Sequence, residues 1–166
     1  MPISRTTPSR TTSSTDHMHV SNALPTRKTK TNASTSRPLR IFLVEDSEVI
    51  RERLTESISS LPNVHVVGHA DTEAHAITAV RHTPCDVLVL DLQLRTGHGF
   101  NVLKAVRGRP YGSQLIVIVL TNFTSSQYRD RCMEMGADYF FDKSGEYDRV
   151  CDVLEEMAHH RPRRLR

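Results

Sequence analysis

Tryptophan is absent from the 166 residues, and all nine Phe and Tyr lie between Phe42 and Tyr147. The two ends of the chain therefore offer no aromatic ring for base stacking. Only three cysteines occur, Cys85, Cys132 and Cys151, and no two form a CxxC pair. That excludes a disulfide framework and a zinc-ribbon spacing, and it points to reduced, buried thiols of a cytoplasmic protein. No run of 18 apolar residues exists, so no helical membrane span is expected. The N-terminus lacks the apolar core of a secretory signal. It is Arg/Ser/Thr-rich and poor in acids, the composition of an organellar transit peptide, but it shows no amphipathic period. GxGxxG is missing, which removes the usual fingerprint of a dinucleotide site.

Residues 1–38 also lack hydrophobic periodicity and hold 16 Ser or Thr. Such a stretch cannot bury enough surface to offset its ordering entropy, and it reads as a disordered arm. Six Lys or Arg against Asp16 give this arm a net charge of +5, and the tail over 161–166 adds +4. With +3 for the whole chain, residues 39–160 carry −6, so the basic character belongs to the ends and the domain is acidic. Basic ends can attract nucleic acid. Without interleaved aromatics, a solvated arm is the expected reading, and nucleic acid is not the expected partner.

From residue 39 onward, short apolar runs alternate with helical periods. Arg40–Val44 predicts a first strand. Ile50, Leu54, Ile58 and Leu61 mark a helix capped by Asp46 or Ser47. Val64–Ala70 predicts a second strand, and Ala74, Ile77 and Val80 a second helix. Val87–Leu90 is followed by a helix carrying Phe100, Leu103 and Val106, then a break over Gly108–Gly112. Leu115–Leu120 is followed by a helix with Tyr128, Cys132 and Met135, closed by Gly136. Tyr139–Phe141 precedes a last helix lined by Val150, Val153, Leu154 and Met157. Five strands alternating with five helices imply an α/β fold with a parallel sheet covered on both faces. By analogy, five such units suit the flavodoxin-like (β/α)5 order 2-1-3-4-5, with a site at the switch point between strands one and three.

Polar chemistry collects at the carboxyl ends of these strands. Glu45-Asp46 follows the first, Asp91 the third, Thr121 the fourth and Asp142-Lys143 the fifth. Three carboxylates brought to one edge repel, and a hard cation with oxygen ligands such as Mg2+ resolves the conflict. The set suits a divalent cation beside a carboxylate that accepts a phosphoryl group.

The order acidic pair, Asp, Thr, Lys, with steps of 45 residues from Asp46 to Asp91, 30 to Thr121 and 22 to Lys143, resembles the response regulator receiver domain of two-component signalling. The resemblance spans about Leu39 to His159. It implies a receiver domain over 39–160, with Asp91 phosphorylated by a sensor histidine kinase or a phosphotransfer protein. It implies Glu45, Asp46, Asp91 and the backbone carbonyl of Gln93 as metal ligands. Lys143 would pair with a phosphoryl oxygen and Thr121 would donate its hydroxyl to another. Phe140 stands where the family places a switch aromatic that turns inward on phosphorylation, although an aromatic there is also ordinary core. His98, in the loop above the site, reads as a plain loop histidine.

Two departures stand out. Arg95 replaces a frequent proline four residues after Asp91, and Ser144 replaces a frequent proline after the lysine.

The expected function is a stand-alone switch with output through an unidentified downstream protein. Self-phosphorylation and slow self-dephosphorylation are its only expected catalysis, and homodimerisation on phosphorylation is left open. A phosphorelay intermediate and a basic-arm nucleic-acid binder are the alternatives. An aspartyl phosphatase is disfavoured because Asp91-Leu92-Gln93 lacks the second acid of Asp-x-Asp, and a flavin binder because Glu45-Asp46 would repel a phosphate. If the arm is dispensable, a chain beginning at Ser36 should keep its melting temperature within a few degrees of the full chain. A large loss would show that the arm packs on the domain.

Overall fold

The computed structural model describes residues 37–108 and 114–160. The arm expected over 1–38, apart from Arg37 and Pro38, lies outside the described residues. So do most of the break over 108–112 and the tail over 161–166. The elements are β1 (Leu39–Val44), α1 (Glu48–Ser59), β2 (Val64–Ala70), α2 (Glu73–His82), β3 (Val87–Leu90), α3 (Gly99–Arg107), β4 (Ile116–Thr121), α4 (Ser126–Glu134), β5 (Tyr139–Asp142) and α5 (Tyr147–His159). The five strands form one sheet in the order β2-β1-β3-β4-β5, and every pairing is parallel. The expected order is therefore the observed one.

Why the sheet is covered on both faces follows from strand alternation. Phe42, Val44, Leu88, Leu90, Val117, Val119 and Phe140 point to one side, where they pack with Ala76, Val80, Leu103, Val106 and Cys132 of α2, α3 and α4. Ile41, Leu43, Val87, Val89, Ile118, Leu120 and Phe141 point to the other, against Leu54, Ile58, Val150 and Leu154 of α1 and α5. Burial of each large apolar side chain contributes roughly 1.5–3 kcal/mol. The central strands gain most because neither face is wet.

Helix starts obey local capping rules. Ser47, Thr72 and Ser125 each accept an N–H from the first turn of α1, α2 and α4. Of the two candidate caps for α1, Ser47 is the one used. The His98 side chain makes no such bond at the start of α3.

Several expected details shift. Of the three positions expected to line α2, Val80 is buried and Ile77 packs on the core, but Ala74 is exposed and Ala76 is buried in its place. In a helix that starts at Glu73, Ala76 shares the inward face with Val80, four residues on. Leu61 and Met135 lie just past their helices but still pack on the core. The fourth strand runs one residue further than expected, so Thr121 is its last residue. Of the three free cysteines, Cys132 is buried and the other two are half-buried. No helix among the described residues is long and apolar enough to cross a membrane.

At the amino end of the sheet, Asp86 accepts from the Arg40 backbone N–H and guanidinium and from Arg37. At the carboxyl end, α3 is pressed against β3. The Gly99 N–H donates to Leu92 O at 2.9 Å. A Cβ added at Gly99 would stand 2.2 Å from Asp91 O. Gly99→Ala should therefore cost about 1–3 kcal/mol through overpacking, measured by urea unfolding. An unchanged midpoint would mean that the α3 start can retreat freely from Asp91.

Candidate functional site

Because β1 and β3 are neighbours and their connections leave in opposite directions, a crevice opens beyond their carboxyl ends. Glu45 and Asp46 stand beyond β1 and Asp91 beyond β3, with a carboxylate oxygen of each within 4.8 Å of the others. Glu45 is 2% exposed and Asp91 5% exposed, so solvent screens their repulsion poorly. β4 contributes Thr121, which is fully buried. β5 contributes Lys143, whose backbone N–H donates to Thr121 O at 3.0 Å. From there its side chain crosses the end of β4. The ammonium Nζ lies 2.6 Å from Glu45 Oε2 and 2.6 Å from Asp91 Oδ2.

One local device recurs at all four strand ends. In each, a side-chain oxygen accepts the N–H two residues on. Ser47 donates to Glu45 Oε1 at 3.1 Å, Gln93 to Asp91 Oδ1 at 3.2 Å, Phe123 to Thr121 Oγ1 at 3.3 Å and Ser144 to Asp142 Oδ1 at 2.8 Å. The Asx-turns of Asp91 and Asp142, the ST-turn of Thr121 and the matching bond to Glu45 end the strands and aim the side chains. They also divide the oxygens. One carboxylate oxygen of Glu45 and of Asp91 is held by backbone, and the other faces Lys143. Thr121 Oγ1 accepts from the backbone, which leaves its O–H to donate elsewhere.

Electrostatics follow from this geometry. Burial pushes the Glu45 carboxyl above its usual value, and the bond and charge of Lys143 pull against that push. The bonds from Ser144 hold Asp142 below the usual carboxylate value. Ser144 thus fixes the turn carrying Lys143 by hydrogen bonds from its N–H and its hydroxyl, where the resembled family often has a proline. Glu146 closes the same turn, accepting the Asp142 N–H at 3.1 Å.

The donor set fits a hard divalent cation. It consists of carboxylate oxygens from three residues, and the Lys143 ammonium already satisfies two of them with positive charge. Glu45, Asp46 and Asp91 would hold such an ion. The resemblance adds the carbonyl of Gln93, whose N–H is the group bonded to Asp91.

Phe140 is 4% exposed, so its ring is already inward. The Arg129 guanidinium lies 4.7 Å from the ring centroid and donates to Phe140 O at 3.1 Å. Arg95 reaches from the loop after Asp91 toward Asp46 O, at 3.5 Å, and Asp71, at 3.9 Å. His98 is exposed and stacks on Phe100 at 6.2 Å between centroids. Glu73 went unnoticed in the sequence, yet its carboxylate bonds the loop after Asp91. Only its place as a first-turn acid of α2 distinguished it.

Without Lys143, two buried carboxylates would lose their counter-charge, and breaking such a pair costs about 3–5 kcal/mol. Lys143→Met should therefore melt well below wild type in a chelator. Since the folded-state pKa of Glu45 is raised, its contribution to stability is greatest below the ordinary value of 4.5 and is lost as pH rises. The deficit of Lys143→Met should accordingly be larger at neutral pH than near pH 4.5, and excess magnesium should recover part of it. A deficit that does not change with pH would rule out Glu45 as the stranded group.

Residues 41–155 match the family model described as response regulator receiver domain. A protein-glutamate methylesterase/protein-glutamine glutaminase of Carboxydothermus hydrogenoformans is 28% identical over 117 residues, 70% of this chain and 34% of that protein. The DNA-binding transcriptional activator DevR/DosR of Mycobacterium tuberculosis is 34% identical over 89 residues, 54% of this chain and 40% of that protein. The chain thus spans well under half the length of these two relatives. Among solved structures, a two-component response regulator of the LuxR family from an Aurantimonas species superposes with a TM-score of 0.66 at 25% identity, covering 75% of this chain and 87% of that one. The response regulator domain of Thermotoga maritima CheB gives 0.64 at 22% identity, covering 76% and 100%, a likeness of fold.

Proposed function

The chain belongs to the response regulator receiver domain family, and from that premise we propose that it is a phospho-acceptor switch in which Asp91 takes the phosphoryl group. One observation carries the assignment. Lys143 Nζ bridges Glu45 and Asp91 at 2.6 Å each, in the crevice where Asp46 completes a three-carboxylate set. An ammonium so placed is a ready partner for an anionic group arriving on Asp91.

The step is an in-line displacement. A carboxylate oxygen of Asp91 attacks phosphorus, and the new O–P bond forms as the donor's bond to phosphorus breaks. With phosphohistidine the bond is P–N, and its electron pair returns to the imidazole. With acetyl phosphate it is P–O, and acetate departs. Glu45, Asp46, Asp91 and the Gln93 carbonyl would hold a magnesium ion, which would supply positive charge for the phosphoryl oxygens. The residues of the chain do the rest. Lys143 stays as counter-ion, Thr121 donates its free O–H, and the turn from Gln93 holds the other Asp91 oxygen in place.

A sensor histidine kinase or a phosphotransfer protein is the donor in this reading. Output passes to a downstream protein through the face of α4, β5 and α5, where Met133 and Tyr139 are the exposed large apolar side chains. Phosphorylation adds about −1.5 to −2 charge, and a phosphoryl group on Asp91 competes with Glu45 for one ammonium. Phe140 is already buried, so the ring needs no inward turn. The shift between states begins instead with Lys143 leaving Glu45, and it carries the turn from Asp142 to Glu146 with it. Arg129 stands 3.8 Å from Glu146 and stacks on Phe140, which joins that turn to α4. The names of the longer relatives include a methylesterase and a DNA-binding activator.

Incubation with acetyl phosphate and magnesium should add one phosphoryl group to the wild type, read by intact mass. Asp91→Asn preserves shape and removes the nucleophilic charge, and it should stay unlabelled. Equal labelling of that variant would move the acceptor elsewhere.

A further inference from the structure

We infer that Glu73, the first residue of α2, is a positioning residue for phosphoryl acceptance at Asp91, because it accepts from α2 the N-cap N–H of α3 that a capping box would satisfy from within the helix. The inference rests on the receiver reading above and goes beyond it, since Glu73 lies outside the set of strand-end residues.

Helix α3 begins directly after the loop that follows Asp91, yet its N-cap residue His98 makes no side-chain cap bond. In a capping box, the residue at the third helical position reaches back to the N-cap N–H. Here that position is Asn101, and the acceptor comes from another helix. Glu73 Oε2 accepts the His98 N–H at 2.8 Å and Asn101 Nδ2 at 2.9 Å. The Glu73 N–H in turn donates to Thr96 O at 3.0 Å. Gly97 completes the fit. It sits at φ +88°, and a Cβ there would fall 2.4 Å from both Glu73 Cβ and Oε2. The loop is thus wrapped onto one side chain with no room for another. Both bonds to one oxygen also hold the Glu73 carboxyl below its usual value, Asn101 first and the His98 N–H second.

The opposite side of the α3 start bears on the acceptor. Gly99 N–H donates to Leu92 O, and the Asp91 carbonyl fills the space a Cβ at Gly99 would need. Gln93 and His98 pair as an antiparallel bridge. The α3 start is therefore wedged between Glu73 and the backbone of residues 91–93. Arg95 stands where the family often has a loop-stiffening proline. In this chain the stiffness comes from α2. Partners that orient a metal or catalytic group from behind typically change affinity or rate by about 10–100-fold when removed.

Three variants of the full chain separate reach from charge. Glu73→Gln keeps a carbonyl oxygen where Oε2 stands, so it should accept both bonds and stay within about twofold of wild type. Glu73→Asp keeps the charge but is one methylene short, and Glu73→Ala keeps neither. Both should bind magnesium about 10-fold more weakly by calorimetric titration. Both should also label more slowly with acetyl phosphate at limiting magnesium, with the rate largely restored at saturation. If Glu73→Ala fails to fold, the comparison of Asp with Gln carries the test. Gln falling with Ala while Asp matches wild type would mean that long-range charge is at work, and would overturn the positioning role. A wild type that labels normally, with all three variants indistinguishable from it, overturns the inference alone. A wild type that neither binds magnesium nor labels overturns the receiver reading, and the inference with it.

Discussion

Everything at the carboxyl edge of this sheet is arranged around a conflict of like charge. Carboxylates that meet within 4.8 Å repel by roughly 3–4 kcal/mol per pair at an effective dielectric of about 20. Two of them are nearly out of solvent. Lys143 offsets that repulsion from two strands away, and it can do so because the sheet order brings β5 beside β4 and β4 beside β3. Parallel pairing matters for the same reason. It brings four strand ends to one rim, so residues 45, 91, 121 and 143 become neighbours although long stretches of chain separate them.

Backbone, more than side-chain packing, aims these groups. At the ends of β1, β3 and β4 the oxygen that carries chemistry also closes a two-residue turn, and at the end of β5 Asp142 closes the turn that carries Lys143, which ties their directions to the path of the chain. A carboxylate on a flexible loop would lose orientational freedom on every encounter with a ligand. Here that ordering cost is borne during folding. The turns also explain why Arg95 and Ser144 are tolerated where prolines are common in the family. Hydrogen bonds from Ser144 and from Glu73 hold the two loops that proline would otherwise stiffen.

Much of this was legible in the sequence for a physical reason. Strands buried on both faces must be apolar throughout, so Val87–Leu90 and Ile116–Leu120 are hard to mistake, and the first polar residue after each marks the rim. The site residues are visible because they sit at those boundaries. Contacts between elements left no such mark. The bonds of Glu73 span 25 and 28 residues and join positions whose identities, an acid at one helix start, a His in a loop and an Asn in the first turn of another helix, are ordinary for their places. Of the inward stripe of α2 only Ala74 was misjudged, because Ala is weakly apolar and the helix start decides which Ala faces the sheet. Phe140 was correctly suspected of belonging to the core. That its ring would be capped by Arg129 could not be read from spacing, since Arg129 lies on a helix with few buried residues.

The alternation that builds the sheet also divides the interior into two compartments. Side chains against α2, α3 and α4 and those against α1 and α5 share strands but not surfaces. A disturbance in one compartment meets the other mainly through backbone. Leu90 and Leu92, on either side of Asp91, belong with α2, α3 and α4, and so does Phe140. Strain that starts at the acceptor would therefore reach that half through side chains, and the half under α1 and α5 through the backbone of the shared strands. A protein that grips α1 to deliver a phosphoryl group would hold a compartment whose side chains are separate from those that flank the acceptor at Leu90 and Leu92.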